Sequence, residues 1–216
     1  MKIELKNVCK SFKNIEVISN VSMVFESGKI YGLYGRNGAG KTVLLKLISG
    51  FYVPTSGEIL YDDKNLNAKL MFPPDLRALI EKPSFFPELS GFENLKLLAR
   101  IQNKISEQEI LQALDIVNLE NDKNKKYGKY SLGMKQKLGI AQVIMENPKI
   151  MILDEPFNGI EKKTVDKLID YFNEEKRKGK IIIISTHIKE DLKKLANEIY
   201  CFDAGHLLEE TNIDEI

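Results

Sequence analysis

The stretch Gly35-Arg-Asn-Gly-Ala-Gly-Lys41-Thr42 decides the fold of this chain, because it matches the phosphate-binding loop pattern GxxxxGK[ST]. A mostly apolar strand, Ile30 to Tyr34, precedes it, and an apolar helical segment, Val43 to Ile48, follows it. Gly38 and Gly40 allow the backbone N–H groups to curl towards phosphate oxygens, and the positive end of the helix dipole adds to the attraction. The sequence therefore predicts a phosphate site between a strand and a helix.

Lys41 and Thr42 close this loop with side chains suited to a nucleotide and its metal ion. The Lys41 ammonium is predicted to neutralise charge on the β- and γ-phosphates, and the Thr42 hydroxyl to bind Mg²⁺. The residues expected to contact the nucleotide here are Gly35, Arg36, Asn37, Gly38, Ala39, Gly40, Lys41, Thr42 and Val43.

Two consecutive acids follow a second buried strand, in Ile150-Met-Ile-Leu-Asp154-Glu155-Pro156. Sheets of α/β proteins bind ligands at the carboxyl ends of their strands, so both carboxylates are expected near the phosphate loop. Asp154 is predicted to hold Mg²⁺, and Glu155 to polarise the attacking water as general base. Alone, the two acids would fit an ordinary solvated turn. The phosphate loop favours the catalytic interpretation.

The order of strands and helices predicts an α/β fold with a parallel sheet covered on both faces. Ser106 and Glu109 form a capping-box signal for a helix, and Gly205 is expected to supply the turn between the last two strands. The polar segment 120–129 is interpreted as a solvated linker. We predict one domain over 1–216, with a helical lobe at about 88–145 inserted between 1–87 and 146–216.

Composition and charge limit the possible partners. The chain has 216 residues and a net charge of +1, from 32 basic and 31 acidic side chains, which gives no electrostatic argument for binding nucleic acid. Cys9 and Cys201 are distant in sequence, and no CxxC pair indicates zinc. No secretory signal or run of about 20 apolar residues is present, so a cytosolic location is expected.

A third motif, Tyr130-Ser-Leu-Gly-Met-Lys-Gln136, begins a helix for which Ser131 is a suitable N-cap. Together the motifs resemble those of the ATP-binding cassettes of ABC transporters, and the resemblance covers nearly the entire chain. The family's LSGGQ signature aligns with Tyr130 to Met134, where only its serine and second glycine are retained, as Ser131 and Gly133. The resemblance implies that these two residues contact the γ-phosphate of a nucleotide bound by a second subunit.

The resemblance assigns further residues of the site. Phe12 matches the aromatic residue that stacks on adenine, with ordinary core packing as the alternative. His187 matches the histidine that contacts the γ-phosphate. The implied catalytic residues are Lys41, Glu155 and His187, and the implied metal ligands are Thr42, Asp154 and Glu81.

Three positions depart from the family's pattern. Glu81 stands where glutamine is usual, and its carboxylate can still ligate Mg²⁺ but adds a negative charge. Val43 lacks a hydroxyl that commonly contacts the α-phosphate. Glu161 replaces an aspartate, and its longer side chain is expected to weaken communication between the two sites of a dimer.

The resemblance also implies a fold and an activity. The fold is a P-loop NTPase core with a mostly parallel sheet, an N-terminal antiparallel β subdomain and an inserted α-helical lobe. ATP with Mg²⁺ is expected to be hydrolysed to drive transport, with export as the expected direction, through a separate transmembrane permease. A second cassette, identical or related, completes the pair on the cytoplasmic face of the cell membrane. Segment Glu81 to Asn94, with Phe85, Phe86 and Phe92, is the expected permease contact, and core packing is the alternative.

Ile80-Glu-Lys-Pro, the signature segment and Asn158-Gly look most like the bacitracin-resistance and lantibiotic-immunity branch, which exports or protects against membrane-active peptides. One alternative is a soluble ABC ATPase acting in DNA repair, chromosome structure or translation, but the chain carries no coiled-coil or zinc-bearing addition. Another is a regulatory module that binds ATP without hydrolysing it. The complete set of predicted catalytic residues argues against that module.

Overall fold

The computed structural model describes residues 1–66 and 72–211, and this part of the chain forms two β-sheets and six α-helices. The first sheet is antiparallel and has the strand order β2-β1-β4-β5. Its strands are β1 (Lys2–Phe12), β2 (Ile15–Glu26), β4 (Ser56–Tyr61) and β5 (Lys64–Asn65).

The second sheet has the order β10-β9-β3-β8-β7-β6, and all its neighbouring strands are parallel except β10 and β9. Its strands are β3 (Lys29–Gly35), β6 (Leu76–Leu79), β7 (Ile150–Asp154), β8 (Ile181–Thr186), β9 (Glu198–Asp203) and β10 (His206–Thr211). The helices are α1 (Lys41–Ile48), α2 (Gly91–Gln102), α3 (Glu107–Ile116), α4 (Leu132–Ile144), α5 (Lys162–Arg177) and α6 (Lys189–Lys193). The two sheets and the helices confirm the predicted cassette fold.

Strand β8 is apolar on both faces, so both faces of the second sheet must be packed against other elements. Every residue from Ile181 to Thr186 is buried, and successive side chains of a strand point to opposite faces. Ile182 and Ile184 belong to an apolar cluster with helices α2 to α5, whereas Ile181 and Ile183 belong to a second cluster with α1 and the antiparallel sheet. The aliphatic run therefore fixes the sheet between two apolar layers.

The parallel strands bring the predicted motifs to one edge. β8 pairs with β3 on one side and with β7 on the other, and Asp154 lies directly beside Ser185. β3 runs into the phosphate loop at Gly35, and β7 ends at Asp154. The loop, the two acids and the residues after β8 thus meet at the carboxyl edge of the sheet.

Local signals at helix starts and turns are reproduced in the structure. Ser106 and Glu109 make the predicted capping box of α3, and Ser90 with Glu93 makes a second one at α2. Gly205 has φ of 83° in the turn between β9 and β10, as predicted. Helices α2, α3 and α4 lie within 88–145, but the division of the chain at 87 and 146 stays a prediction.

Most of segment 120–129 is exposed, as expected for a solvated linker, but the segment is anchored at Tyr127. Tyr127 is buried, its hydroxyl donates to the Pro83 carbonyl at 2.9 Å, and its backbone N–H donates to Leu89 O at 2.8 Å. One aromatic anchor in a polar segment is enough to pack it against the helical region. Strand β6 was not predicted from the sequence. Within the described ranges, no helix combines the length and apolarity needed to cross a membrane.

Candidate active site

The glycines of the phosphate loop occupy positions that disfavour a side chain, either by backbone conformation or by close packing. Gly38 and Gly40 have φ of 84° and 104°, in the left-handed region that favours glycine. A Cβ at Gly35 would lie 2.3 Å from the carbonyl oxygen of Phe202, and one at Gly40 would lie 3.1 Å from that of Val17. Gly35 and Gly40 therefore allow the loop to pack closely against Phe202 and Val17. The left-handed conformations of Gly38 and Gly40 allow the loop's N–H groups to turn towards a bound anion.

A cavity of about 310 Å³ opens over this loop. It is lined by nearly all of the predicted loop residues and by the two acids at the carboxyl end of β7. The lining residues are Val17, Arg36, Asn37, Gly38, Ala39, Gly40, Lys41, Thr42, Val43, Asp154 and Glu155.

Lys41 is buried at the floor of the loop. Its Nζ donates to the carbonyl oxygens of Gly35 at 2.6 Å and Arg36 at 3.2 Å. Burial lowers the pKa of the Lys41 ammonium, and the nearby carboxylates of Glu155 and Asp154 oppose that shift. The loop's own carbonyls thus hold the ammonium inside the cradle where a phosphate would sit.

Thr42 and Asp154 form an oxygen-rich corner of the cavity. The Thr42 hydroxyl donates to Asp154 Oδ2 at 2.7 Å, and the Ser185 hydroxyl donates to Asp154 Oδ1. Hard oxygen donors fit Mg²⁺, which commonly takes one or two carboxylates plus substrate phosphates. Residues 1–66 and 72–211 contain no group of three or more His, Cys, Asp or Glu placed to hold a metal. A magnesium ion here would therefore draw further ligands from the nucleotide and water.

Glu81, the third predicted metal ligand, is not part of this corner in the structure. Its carboxylate makes an ion pair with Lys46 of α1, with 2.8 Å between Nζ and Oε1, and the Glu81 side chain is 64% exposed. The backbone of Glu81 is left-handed, with φ of 64°. Its role as a ligand stays a prediction.

Glu155 and His187 form a close pair beside the cavity. Nδ1 of His187 lies 2.9 Å from both carboxylate oxygens of Glu155. Glu155 has φ of 48°, an unfavourable value for a residue with a Cβ. Such strain is typical of functional sites, and here it aims the carboxylate at the histidine.

Phe12, Ser131 and Gly133 are absent from the cavity lining given above. Phe12 packs its ring edge-on against Tyr52, with 5.3 Å between ring centroids, and remains 38% exposed. Ser131 caps α4 by accepting from the backbone N–H of Met134 at 3.2 Å. The signature residues of this chain thus lie apart from its own phosphate cavity.

Sequence reasoning missed two polar residues of the site. Ser185 binds Asp154, and Gln136 donates to the backbone carbonyl of Glu155 at 3.1 Å. Ser185 could have been found from its place at the end of β8, two residues before His187. Gln136 gave no such signal, because its partner is 19 residues away and is a backbone atom.

The fold and this site define a P-loop ATPase with a cassette architecture, and comparisons with known proteins agree. Residues 18–158 match the family described as ABC transporter. The ABC transporter ATP-binding protein YybJ of Bacillus subtilis, itself uncharacterized, is 44% identical over 95% of this chain and 94% of its own length. The bacitracin transport ATP-binding protein BcrA of Enterococcus faecalis is 36% identical over 99% of this chain and 70% of its own.

A further relative and two solved structures are also similar to this chain. The lantibiotic transport ATP-binding protein SrtF of Streptococcus pyogenes is 34% identical over 98% of this chain and 91% of its own length. A solved ATP-binding subunit of an ABC transporter superposes with a TM-score of 0.86 at 28% identity, over 99% of this chain and 91% of that chain. The dimeric cassette MJ0796 shares the fold, with a TM-score of 0.89 at 24% identity over 98% of both chains. The chain belongs to the ABC transporter family, as an ATP-binding subunit and an ATPase.

Proposed function

We propose that this subunit hydrolyses ATP to power the export of a membrane-active peptide through a separate membrane-spanning permease, at the cytoplasmic face of the membrane. The observation that carries the proposal is the Glu155–His187 pair, 2.9 Å apart, at a phosphate cavity that also holds Lys41 and Asp154. The cargo class rests on similarity to the bacitracin and lantibiotic transport proteins.

In this proposal the hydrolytic roles follow from position. Lys41 and the N-terminus of α1 bind the phosphates, and Glu155 accepts a proton from the attacking water while His187 holds its carboxylate and meets the γ-phosphate. Thr42 and Asp154 would hold Mg²⁺, which neutralises charge on the phosphates. Phe12 would stack on the adenine through the exposed part of its ring.

The signature residues supply the argument for a second cassette. Ser131 and Gly133 lie outside the phosphate cavity of their own chain, and the N-terminus of α4 is suited to a phosphate. We infer that they complete the ATP site of a second copy or of a related chain. A dimer of this kind encloses two nucleotides, each held by one loop and one signature.

The permease contact is proposed around Phe86. Phe85 packs against Tyr127, with 5.2 Å between ring centroids, and Phe92 also packs on the helical core. Phe86 by contrast is 57% exposed. A charge at this position, Phe86→Asp, is expected to release the permease while leaving the folded subunit intact. Leu208→Asp, at an equally exposed apolar residue on β10, is the matched control.

The test uses Glu155→Gln, which keeps the shape of the side chain but removes the base. Turnover is expected to fall by about 10²–10⁴-fold while ATP affinity stays within about twofold. The ATP-loaded variant is then used to recover partners from solubilised membranes, with Phe86→Asp introduced in parallel. Recovery of a multi-spanning protein that confers tolerance to bacitracin-like or lantibiotic-like peptides supports the proposal. Recovery of soluble or ribosomal partners alone would instead favour the soluble ABC ATPase.

A further inference from the structure

The strained backbone of Glu155 is held by hydrogen bonds on both sides of the residue. Its N–H donates to the carbonyl oxygen of Ser185 at 3.0 Å. Its own carbonyl oxygen accepts from the side-chain amide of Gln136 at 3.1 Å. The other donor to that oxygen is the backbone N–H of Asn158, at the longer distance of 3.4 Å. Gln136 is therefore the closest donor to the Glu155 carbonyl among the described residues.

Gln136 reaches Glu155 from α4, the helix that begins with the signature. Gln136 is not among the residues that line the phosphate cavity. Its neighbour Lys137 pairs with Glu161 at 2.9 Å, at the far end of the segment that starts with Glu155. Two consecutive side chains of α4 thus hold the first and last residues of 155–161.

The backbones of α4 and of segment 155–161 also pack directly against each other. A Cβ at Gly133 would lie 2.2 Å from the carbonyl oxygen of Gly159. The first turn of α4 and the middle of 155–161 are consequently in direct contact. The bond from Gln136 therefore spans a tightly packed contact between α4 and the segment.

We propose that Gln136 is a positioning residue for ATP hydrolysis, acting through the peptide carbonyl of Glu155. By fixing that carbonyl it keeps Glu155 in its left-handed conformation and its carboxylate on His187. Without the amide donor, Glu155 relaxes towards a more favourable backbone conformation, and its carboxylate turns away from the water that it activates. This inference rests on the proposed role of Glu155 as general base.

Gln136→Met tests the role, because it removes the donor while keeping an unbranched side chain of similar length. The turnover number is expected to fall about tenfold, the loss that one hydrogen bond of ordinary strength accounts for. The KM for ATP and the affinity for a fluorescent ATP analogue are expected to change less than twofold. Gln112→Met, at an exposed position of α3, is the matched control and should leave all three quantities unchanged. Gln136→Glu replaces the donor by a charged acceptor that the Glu155 carbonyl oxygen repels, and it should lower the turnover number at least as much as Gln136→Met does.

Single-turnover rates in the Glu155→Gln background separate this inference from the proposed function. If Gln136 acts through Glu155, Gln136→Met adds no further loss once the base is gone. An equal additional loss in that background, or a parallel fall of turnover, affinity and melting temperature, would assign Gln136 an ordinary structural role and overturn the inference. A wild-type turnover number in Gln136→Met beside an inactive Glu155→Gln would also overturn it and leave the base in place. Wild-type turnover in Glu155→Gln would instead remove the general base itself.

Discussion

Lys46 and Glu81 join the helix that follows the phosphate loop to the segment that leads into the helical region. The Lys46 ammonium also lies 5.5 Å from the centre of the Tyr52 ring, and Tyr52 contacts Phe12. An ion pair with so exposed a carboxylate contributes about 0–1 kcal/mol to folding. Such a weak pair can open, so the carboxylate of Glu81 remains available to a cation bound with the nucleotide.

A prediction for Glu81→Gln follows from this weak pairing. The free energy of unfolding should change by less than about 1 kcal/mol, whereas half-maximal ATP hydrolysis should need about two to five times more Mg²⁺, because a charged ligand is lost. Magnesium titrations of ATPase activity and urea unfolding measure the two quantities. Glu88→Gln removes the same charge from an exposed position nearby. Identical magnesium dependence of the two variants would remove Glu81 from the metal site.

Among the secondary-structure elements, α4 and α5 are linked through Glu161. Lys137 of α4 is largely buried, and its ammonium donates to Glu161 Oε1 and to the carbonyl oxygen of Asn118. The Thr164 hydroxyl and the Lys137 ammonium both donate to the Glu161 carboxylate and lower the pKa of Glu161 to about 2. The longer side chain that replaces the family's aspartate is thus used within its own chain.

The lowered pKa of Glu161 gives a pH-dependent prediction. A folded-state pKa below the unfolded one adds stability that is fully present above about pH 4.5 and is lost as the pH falls towards 2. The side chain is more than half exposed, so solvent screening limits the effect, and Glu161→Gln should lose about 1 kcal/mol at pH 7. Urea unfolding should show a smaller difference from wild type at pH 3 than at pH 7. An equal difference at both values, or none at pH 7, would contradict the assigned ionic role.

Sequence patterns predicted the elements whose signals are local. The phosphate loop, the buried run Ile181 to Ile184 and the capping box at Ser106 each carry their information within a few residues. Tyr127 and Gln136 carry theirs in contacts with distant backbone atoms, so their roles emerged only from the folded chain. Glu155 and His187 were each predicted as site residues, but their contact was not, because they are 32 residues apart and meet only since β7 and β8 are parallel neighbours.

At the level of the whole molecule, the residues predicted for the ATP site do not all lie together within one chain. The phosphate cavity and the pair Glu155–His187 lie at the carboxyl edge of the parallel sheet, whereas Ser131 is an exposed cap at the start of α4. Two copies related by a twofold axis can each supply the signature that the other lacks. In the proposed dimer, ATP is hydrolysed between the two chains, and opening and closing of that dimer would drive the proposed permease.

The most direct test of this composite site is the sedimentation of Glu155→Gln with and without saturating Mg²⁺–ATP. We predict a monomer without nucleotide and a dimer with about one ATP bound per chain. Adding Ser131→Arg, which places a bulky side chain at the signature, should leave ATP bound but abolish the dimer. A Glu155→Gln chain that stays monomeric while saturated with ATP, or a dimer unaffected by Ser131→Arg, would contradict the account.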